Sequence, residues 1–564
     1  MHFIIYFSDG IFATVPKDLG TFPVCGQDCW LPSSRSQEEA VEPVQFEIRL
    51  SPGVRFTSVL LIGAAHVQSR LIDSEHSAEE TKMVIENGTR RPHILMITMP
   101  FPGHVAPFIQ LLYLLKEHKS VKVTVVGHPD RIAEISKLYE RGDFKDLELY
   151  FEPIFRVIPV YSKDPKFPVR AATTCDQEEI EFQEMKKRLI DEKDSADAPT
   201  SMIVDMFLYW TKDIADEMDI PWYTFYSSSS WFAVCAVEAP LLLERELHPI
   251  YSAKKCERID IPGVAFAYVS DIPHECIEFS EFYAKVSDYT LRATGILCNS
   301  SYEMEGAAGS TKAIAELVER RKKSAPGKPL EDTKVLAVGP MAQISGFGEV
   351  FSSRDDPSDS LKWLDTQAEG SVLYIAFGSL GNVISDVIPQ LALGLEESRV
   401  PFLWVLKVPK GKTIDELLPQ GFRERIHGRG FIETGWAPQT RILQHPATGG
   451  FLTHCGWNSI VESLCTGVPM ITWPLSADQP MNARFLTDVT KVGIPIKDAP
   501  ANELNMVSKE EVSAAVKRLL VSDESKEFKK NSLKLKETLA SSVGDGGSSY
   551  TTLRNFINDL VTVK

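Results

Sequence analysis

Residues Trp436 to Gln479 read WAPQTRILQHPATGGFLTHCGWNSIVESLCTGVPMITWPLSADQ. Within them GGFLTHCG (Gly449 to Gly456) has the pattern of a short buried strand, and WNSIVESLCTG opens at once into a helix that Gly467 can stop. A strand feeding a helix N-terminus is an anion site, because the first backbone N–H groups lack intrahelical partners and the dipole favours negative charge. A diphosphate at Asn458 and Ser459 meets several such donors, and His454, just before the turn, adds one more. Glu462 follows Asn458 by one helical turn on the same face, where its carboxylate can accept from ribose hydroxyls. Trp436 offers a flat π-face to a base. Trp457, Asp478 and Gln479 are placed to select a sugar, since a carboxylate and an amide suit vicinal hydroxyls. Taken singly, each residue has a plainer reading: Trp436 and Trp473 as core, His454 as a satisfied buried histidine. His445, His454, Cys455 and Cys465 lack the close pairing of a zinc site.

The order of polar and aromatic positions over these 44 residues resembles, almost position for position, the donor-binding signature of plant family 1 UDP-glycosyltransferases. That resemblance implies a donor site made by Trp436, Ala437, Gln439, His454, Trp457, Asn458, Ser459, Glu462, Asp478 and Gln479. It adds Ser379, in the loop FGSLGN (Phe377 to Asn382), as a contact to the donor phosphate. It also implies an α/β fold of the GT-B type, two facing doubly wound Rossmann-like domains with mostly parallel sheets.

The rest of the chain fits that architecture. From His93 the pattern alternates: strand HILMITMP, helix from about Val105 to His118, strand VKVTVVGH, helix Asp130 to Glu140, then strands SMIVDMF (Ser201 to Phe207) and PWYTFYS (Pro221 to Ser227). Such alternation predicts a parallel sheet with helices on both faces. After VLAVGPM (Val335 to Met341) a second set follows, SVLYIAFGS, PFLWVLK, GFIETG, GGFLTHCG and PMITWPLS. The expected division is an unassigned extension at 1–91, an acceptor-binding domain at 92–345, a linker at 346–360, a UDP-sugar domain at 361–545 and a final helix at 546–564. The last, by resemblance, packs back toward the first domain. No GxGxxG follows a strand, which removes the fingerprint of a dinucleotide enzyme.

In PFPGHVAPF (Pro100 to Phe108) His104 stands where a strand gives way to a helix, and the resemblance makes it the catalytic base. Asp205, ending SMIVDMF, matches the carboxylate that orients it. Tyr209, Trp210, Tyr226, Trp231 and Phe232 cluster near Asp205 in sequence and read equally as an apolar acceptor pocket or as core. The implied reaction is inverting, metal-independent transfer of glucose to a hydroxyl of a small lipophilic acceptor such as a phenolic or flavonoid, with UDP-glucose as co-substrate and no cofactor. A catalytically silent nucleotide-sugar-binding protein is the alternative.

Composition bounds the partners. A net charge of −17 disfavours nucleic acid and anionic membranes. No run of 18 apolar residues predicts a membrane span. Nine scattered cysteines read as reduced thiols, which points to the cytoplasm; a monomer is also expected. The basic run Glu319 to Lys328 reads as a solvated loop. Residues 1 to about 91 share neither pattern nor motif with the rest, and Met83 stands ten residues before the first recognisable strand.

Overall fold

The computed structural model describes residues 91–562 apart from 117, 119–120, 145–146, 154–174, 307–308, 325–331, 345–357, 379–386, 410 and 498–506, together with five short strands nearer the N-terminus. The chain divides into two compact units, Met1–Glu86 and Asn87–Lys564. In the first unit β1 (Phe3–Tyr6) pairs antiparallel with β2 (Phe12–Val15), while β3 (Gln45–Ser51), β4 (Val54–Val59) and β5 (Gln68–Arg70) form a separate antiparallel sheet. Because the second unit carries its own cores, a chain beginning at Met83 is expected to be soluble with a single cooperative thermal transition. Insolubility of that shortened protein would show that the first 82 residues are needed for folding.

The second unit holds two parallel sheets. The first contains β6 (His93–Ile97), β7 (Lys122–Gly127), β8 (Glu148–Pro153), β9 (Ser201–Asp205), β10 (Trp222–Tyr226), β11 (Gly295–Cys298) and β12 (Lys334–Ala337), in the order β12-β11-β10-β9-β6-β7-β8. The second contains β13 (Val372–Ala376), β14 (Phe402–Val405), β15 (Gly430–Glu433), β16 (Thr448–Thr453), β17 (Met470–Thr472) and β18 (Gly493–Pro495), in the order β15-β14-β13-β16-β17-β18. Helices cover both faces, so the central strands are buried on both sides and read as unbroken apolar runs such as Ile94 to Ile97.

Each sheet reverses its winding once, between β6 and β9 in the first and between β13 and β16 in the second. At such a reversal the flanking helices leave on opposite faces, which opens a crevice at the carboxyl ends of the strands where ligands bind. β6 runs into His104 and β9 ends on Asp205; β13 runs into Gly378 and β16 into His454.

Three local features differ from the sequence reading or extend it. The helix after β6 is Pro102–Leu115, three residues earlier than expected, because Pro102 fits the first turn, where its missing N–H is no loss. Most of the basic run is helical: Ser310–Ser324 is a helix whose Ala313, Ile314, Leu317 and Val318 recur at helical spacing on the buried side and carry the charged residues with them. Of the expected linker at 346–360, residues 346–357 lie outside the described residues, and the helix Asp359–Leu364 follows them.

The helix Ser548–Val561 places Leu553, Phe556, Ile557 and Leu560 in one apolar cluster with Ile94, Val105, Phe108 and Tyr223 of the first sheet's layer. Phe556 meets Tyr223 edge-on at 5.0 Å, and Lys334 pairs with Asp559 at 2.7 Å. Among the described residues no helix is long and apolar enough to cross a membrane.

Candidate active site

His104 lies in the first turn of Pro102–Leu115 and turns its Nδ1 to Asp205 Oδ2 at 2.7 Å. Asp205 is fully buried at the end of β9, and its Oδ1 accepts from the backbone N–H of Phe207 at 3.1 Å. The two carboxylate oxygens thus have separate tasks, one fixed by the backbone and one facing the imidazole. A carboxylate can only accept, so Nδ1 carries the proton and Nε2 is left as a base. Burial pushes the His104 pKa down, but the charge and hydrogen bond of Asp205, with the more distant charge of Asp478, outweigh it, and the net shift is upward. Ser227 Oγ lies 3.4 Å from the same Nδ1.

The aromatic groups around this imidazole are only partly those expected from sequence. Phe101 and Phe207 stand with ring centroids 5.9 and 5.6 Å from His104, and Phe282 packs against Phe207 at 5.8 Å. Their signal lay in adjacency, since Phe101 and Phe207 sit three and two residues from His104 and Asp205. Tyr209 and Trp210 are partly exposed, with Tyr209 packed on Phe282 and Tyr289. Tyr226, Trp231 and Phe232 are core instead. The Tyr226 hydroxyl is bonded to Thr290 Oγ1 at 3.0 Å, and Trp231 stacks on Phe485 at 4.1 Å.

On the opposite sheet, the helix Trp457–Thr466 starts directly after β16. Its N-cap is Gly456 and no side chain caps its first turn, so the N–H groups there remain for a ligand. Gly467, left-handed at φ 77°, ends it. His454 is wedged between Gly378 and Gly456; a β-carbon on either glycine would come within 2.7 or 2.4 Å of its ring. Burial holds the His454 pKa at about 4 against the opposing pull of the Ala376 backbone, so the ring is neutral at pH 7. Ser379 lies outside the described residues.

Gln439 ties three polar side chains together. Its Oε1 accepts from the Tyr374 hydroxyl at 3.1 Å, and its Nε2 donates to Ser459 Oγ at 3.0 Å and Glu462 Oε2 at 2.7 Å. Gln439 and Ser459 therefore hold each other and Glu462, whose pKa burial raises to about 7 against the Gln439 bond. Ala437 is buried and its carbonyl accepts from Gln439 N at 2.8 Å, which shapes the turn that leaves Trp436 55% exposed. Trp473, by contrast, is core.

Gln479 is buried with Oε1 accepting from the backbone of Leu475 and Ser476 at 2.8 and 3.1 Å, which leaves its Nε2 as the group that can meet a hydroxyl. Burial raises Asp478 to about 6, and Asn482 donates to its Oδ2 at 2.8 Å. Trp457 is nearly buried and its indole N–H donates to the Asn299 carbonyl at 2.8 Å, so its side chain pins the two halves rather than offering that donor to a sugar. The two switch points meet directly: Asn458 Nδ2 donates to the Gly103 carbonyl at 2.9 Å, one residue from His104.

Two doubly wound halves facing across such a cleft are a GT-B fold, the architecture of the solved structures this chain resembles. TcCGT1 in complex with UDP matches with a TM-score of 0.68 at 28% identity, covering 83% of this chain and 99% of that one. Phytolacca americana UGT2 complexed with UDP-2fluoro-glucose and pterostilbene matches at 0.64 and 26% identity, with the same coverage. The sequence profile described as UDP-glucoronosyl and UDP-glucosyl transferase fits residues 339–539. UDP-glycosyltransferase 72B1 of Arabidopsis thaliana is 31% identical over 491 residues, 82% of this chain and 95% of that protein. Scopoletin glucosyltransferase of Nicotiana tabacum is 29% identical over 508 residues, covering 83% and 98%. The chain belongs to the plant UDP-glycosyltransferase family, and it is an enzyme of that class.

Proposed function

We propose that the protein transfers glucose from UDP-glucose to a phenolic or related hydroxyl, with inversion at the anomeric carbon. The observation that carries this reading is the His104–Asp205 pair, held within one hydrogen bond of the uncapped helix start at Asn458. A base on one wall and an anion site on the other suit direct displacement. His104 Nε2 takes the acceptor proton, the acceptor oxygen forms its bond to the anomeric carbon, and the bond to UDP breaks on the opposite face. Negative charge growing on the departing diphosphate is met by the free N–H groups of residues 457–459 and by neutral His454, groups already oriented before reaction. Phe101, Phe207 and Phe282 give an apolar approach suited to planar acceptors. Relatives named for scopoletin and for flavonoid glucosylation support the acceptor class.

Incubation with UDP-glucose and a panel of phenols, followed by mass spectrometry, tests the reaction; absence of any glucoside would remove it. The donor assignment rests on Gln479 and on glucosyltransferase relatives. With equal UDP-glucose and UDP-galactose in competition, glucoside should dominate the product, and a galactoside-dominated pool would overturn the choice. The base platform is tested separately. Trp436→Ala should weaken UDP binding by roughly 1–3 kcal/mol, the worth of one base stack. Unchanged affinity by calorimetry would place the uracil elsewhere.

A further inference from the structure

Asn482 lies in the helix Gln479–Arg484, one turn beyond Asp478, and is fully buried. Its amide makes three hydrogen bonds. Oδ1 accepts from Trp231 Nε1 at 2.7 Å, and Nδ2 donates to the Cys455 carbonyl at 3.0 Å and to Asp478 Oδ2 at 2.8 Å. The partners come from three parts of the site. Trp231 belongs to the half that carries His104; Cys455 is the left-handed residue, φ 65°, between His454 and the donor helix; Asp478 stands at the sugar end.

An indole N–H can only donate, so it fixes which end of the amide faces Trp231. The opposite end is thereby committed to Asp478. Trp231 is itself immobilised, stacked on Phe485 at 4.1 Å and edge-on to Trp457 at 4.9 Å. Rotation of the amide would leave two buried groups facing like groups, a loss that the core around it gives no water to relieve.

We propose that Asn482 is a positioning residue for the donor sugar: locked in one orientation by Trp231, it holds the Asp478 carboxylate in place for sugar hydroxyls and makes that placement depend on the docking of the two halves. The inference rests on the glucosyl-transfer reading. Burial already brings Asp478 to about 6, with the Asn482 bond opposing it. Without that bond the carboxylate protonates nearer neutral pH and ceases to be a fixed acceptor.

The test compares the parent full-length protein with Asn482→Ala, Asp478→Ala and the double variant. Charge-assisted hydrogen bonds of this kind carry enough energy that Asn482→Ala should raise the KM for UDP-glucose about tenfold or more. Affinity for UDP alone should barely move, and the acid limb of kcat/KM for the donor should shift to higher pH. If Asn482 acts through Asp478, the double variant is no worse than Asp478→Ala. Full additivity, or equal weakening of UDP and UDP-glucose, would overturn the proposal. Trp231→Phe keeps an aromatic ring and removes only the N–H; it should raise the donor KM in the same direction. If Asn482→Ala does not fold, an unchanged donor KM in Trp231→Phe overturns the proposal by itself. Calorimetry with UDP and UDP-glucose needs no turnover, so it reads Asn482 even if the parent forms no glucoside, an outcome that would instead count against the proposed function.

Discussion

His104→Ala is expected to lower turnover by about 10²-fold or more, the usual contribution of a positioned base, while UDP affinity stays at the parent value. The separation follows from geometry. His104 and Asp205 lie at the β6/β9 reversal, whereas Trp436, Gln439, His454 and Glu462 belong to the other sheet's loops. The Gly103 carbonyl, on the backbone beside His104, accepts from Asn458 of the helix Trp457–Thr466, and an alanine side chain leaves it in place. The deficit should shrink as the acceptor phenol becomes more acidic, because a hydroxyl already ionised needs no base. Single-turnover kinetics on a series of phenols measures both. Parent-rate transfer to a phenol of ordinary acidity would show that the base is another group, whereas no transfer by the parent itself would reopen the silent-binder alternative.

Asp205→Asn should be at least as damaging, for a reason specific to this site. The N–H of Phe207 points at Oδ1 and needs an acceptor there. An asparagine meets that need by placing its oxygen toward Phe207, which turns its NH₂ toward His104 Nδ1. Nδ1 must then accept, the ring proton moves to Nε2, and the atom that should take the acceptor proton already holds one. In a serine-protease triad the wrong tautomer in an otherwise intact pair costs about 10⁴-fold, which sets an upper reference for the loss here. The pH profile gives a second reading. In the parent, Asp205 raises the His104 pKa, so kcat/KM falls on the acid side through a pKa above the ordinary 6.5. Removing the carboxylate charge removes the larger upward cause, and the limb should move to lower pH beneath a much lower plateau. A limb that stays put would mean that Asp205 does not govern the imidazole.

Much of this is readable from the chain because the information is local. The alternation of strand and helix predicts two parallel sheets, and the segment from Gly449 to Gly467 predicts a strand, an uncapped helix start and a glycine stop, all of which the structure contains. β8, β11 and β18 are not legible in the same way. GILC and GIP are too short to show a period, and ELYFEP alternates at one sheet edge among polar neighbours. The aromatic side chains resist reading for the opposite reason. Trp231 finds its partners in Asn482 and Phe485, some 250 residues away, and nothing in SWFAVCAV distinguishes a ring that lines a pocket from one that joins two halves. Trp457 is similar, since its indole partner is the Asn299 carbonyl. Gln439 is legible as a donor-site residue by resemblance, but its task of holding Ser459 and Glu462 depends on Tyr374, on a strand 65 residues earlier.

The final helix has a bearing on how the protein is made. Leu553, Phe556, Ile557 and Leu560 complete the apolar layer beneath Ile94, Phe108 and Tyr223, so the first half of the enzyme obtains part of its core from residues that leave the ribosome long after it. At synthesis rates of about 5–20 residues per second, the roughly two hundred residues between Met341 and that helix take on the order of 10–40 s. Throughout that interval the nascent first half presents an uncovered greasy face, a natural landing place for a chaperone, and a message truncated shortly before Ser548 would yield a protein with an intact donor signature and an unfinished partner domain.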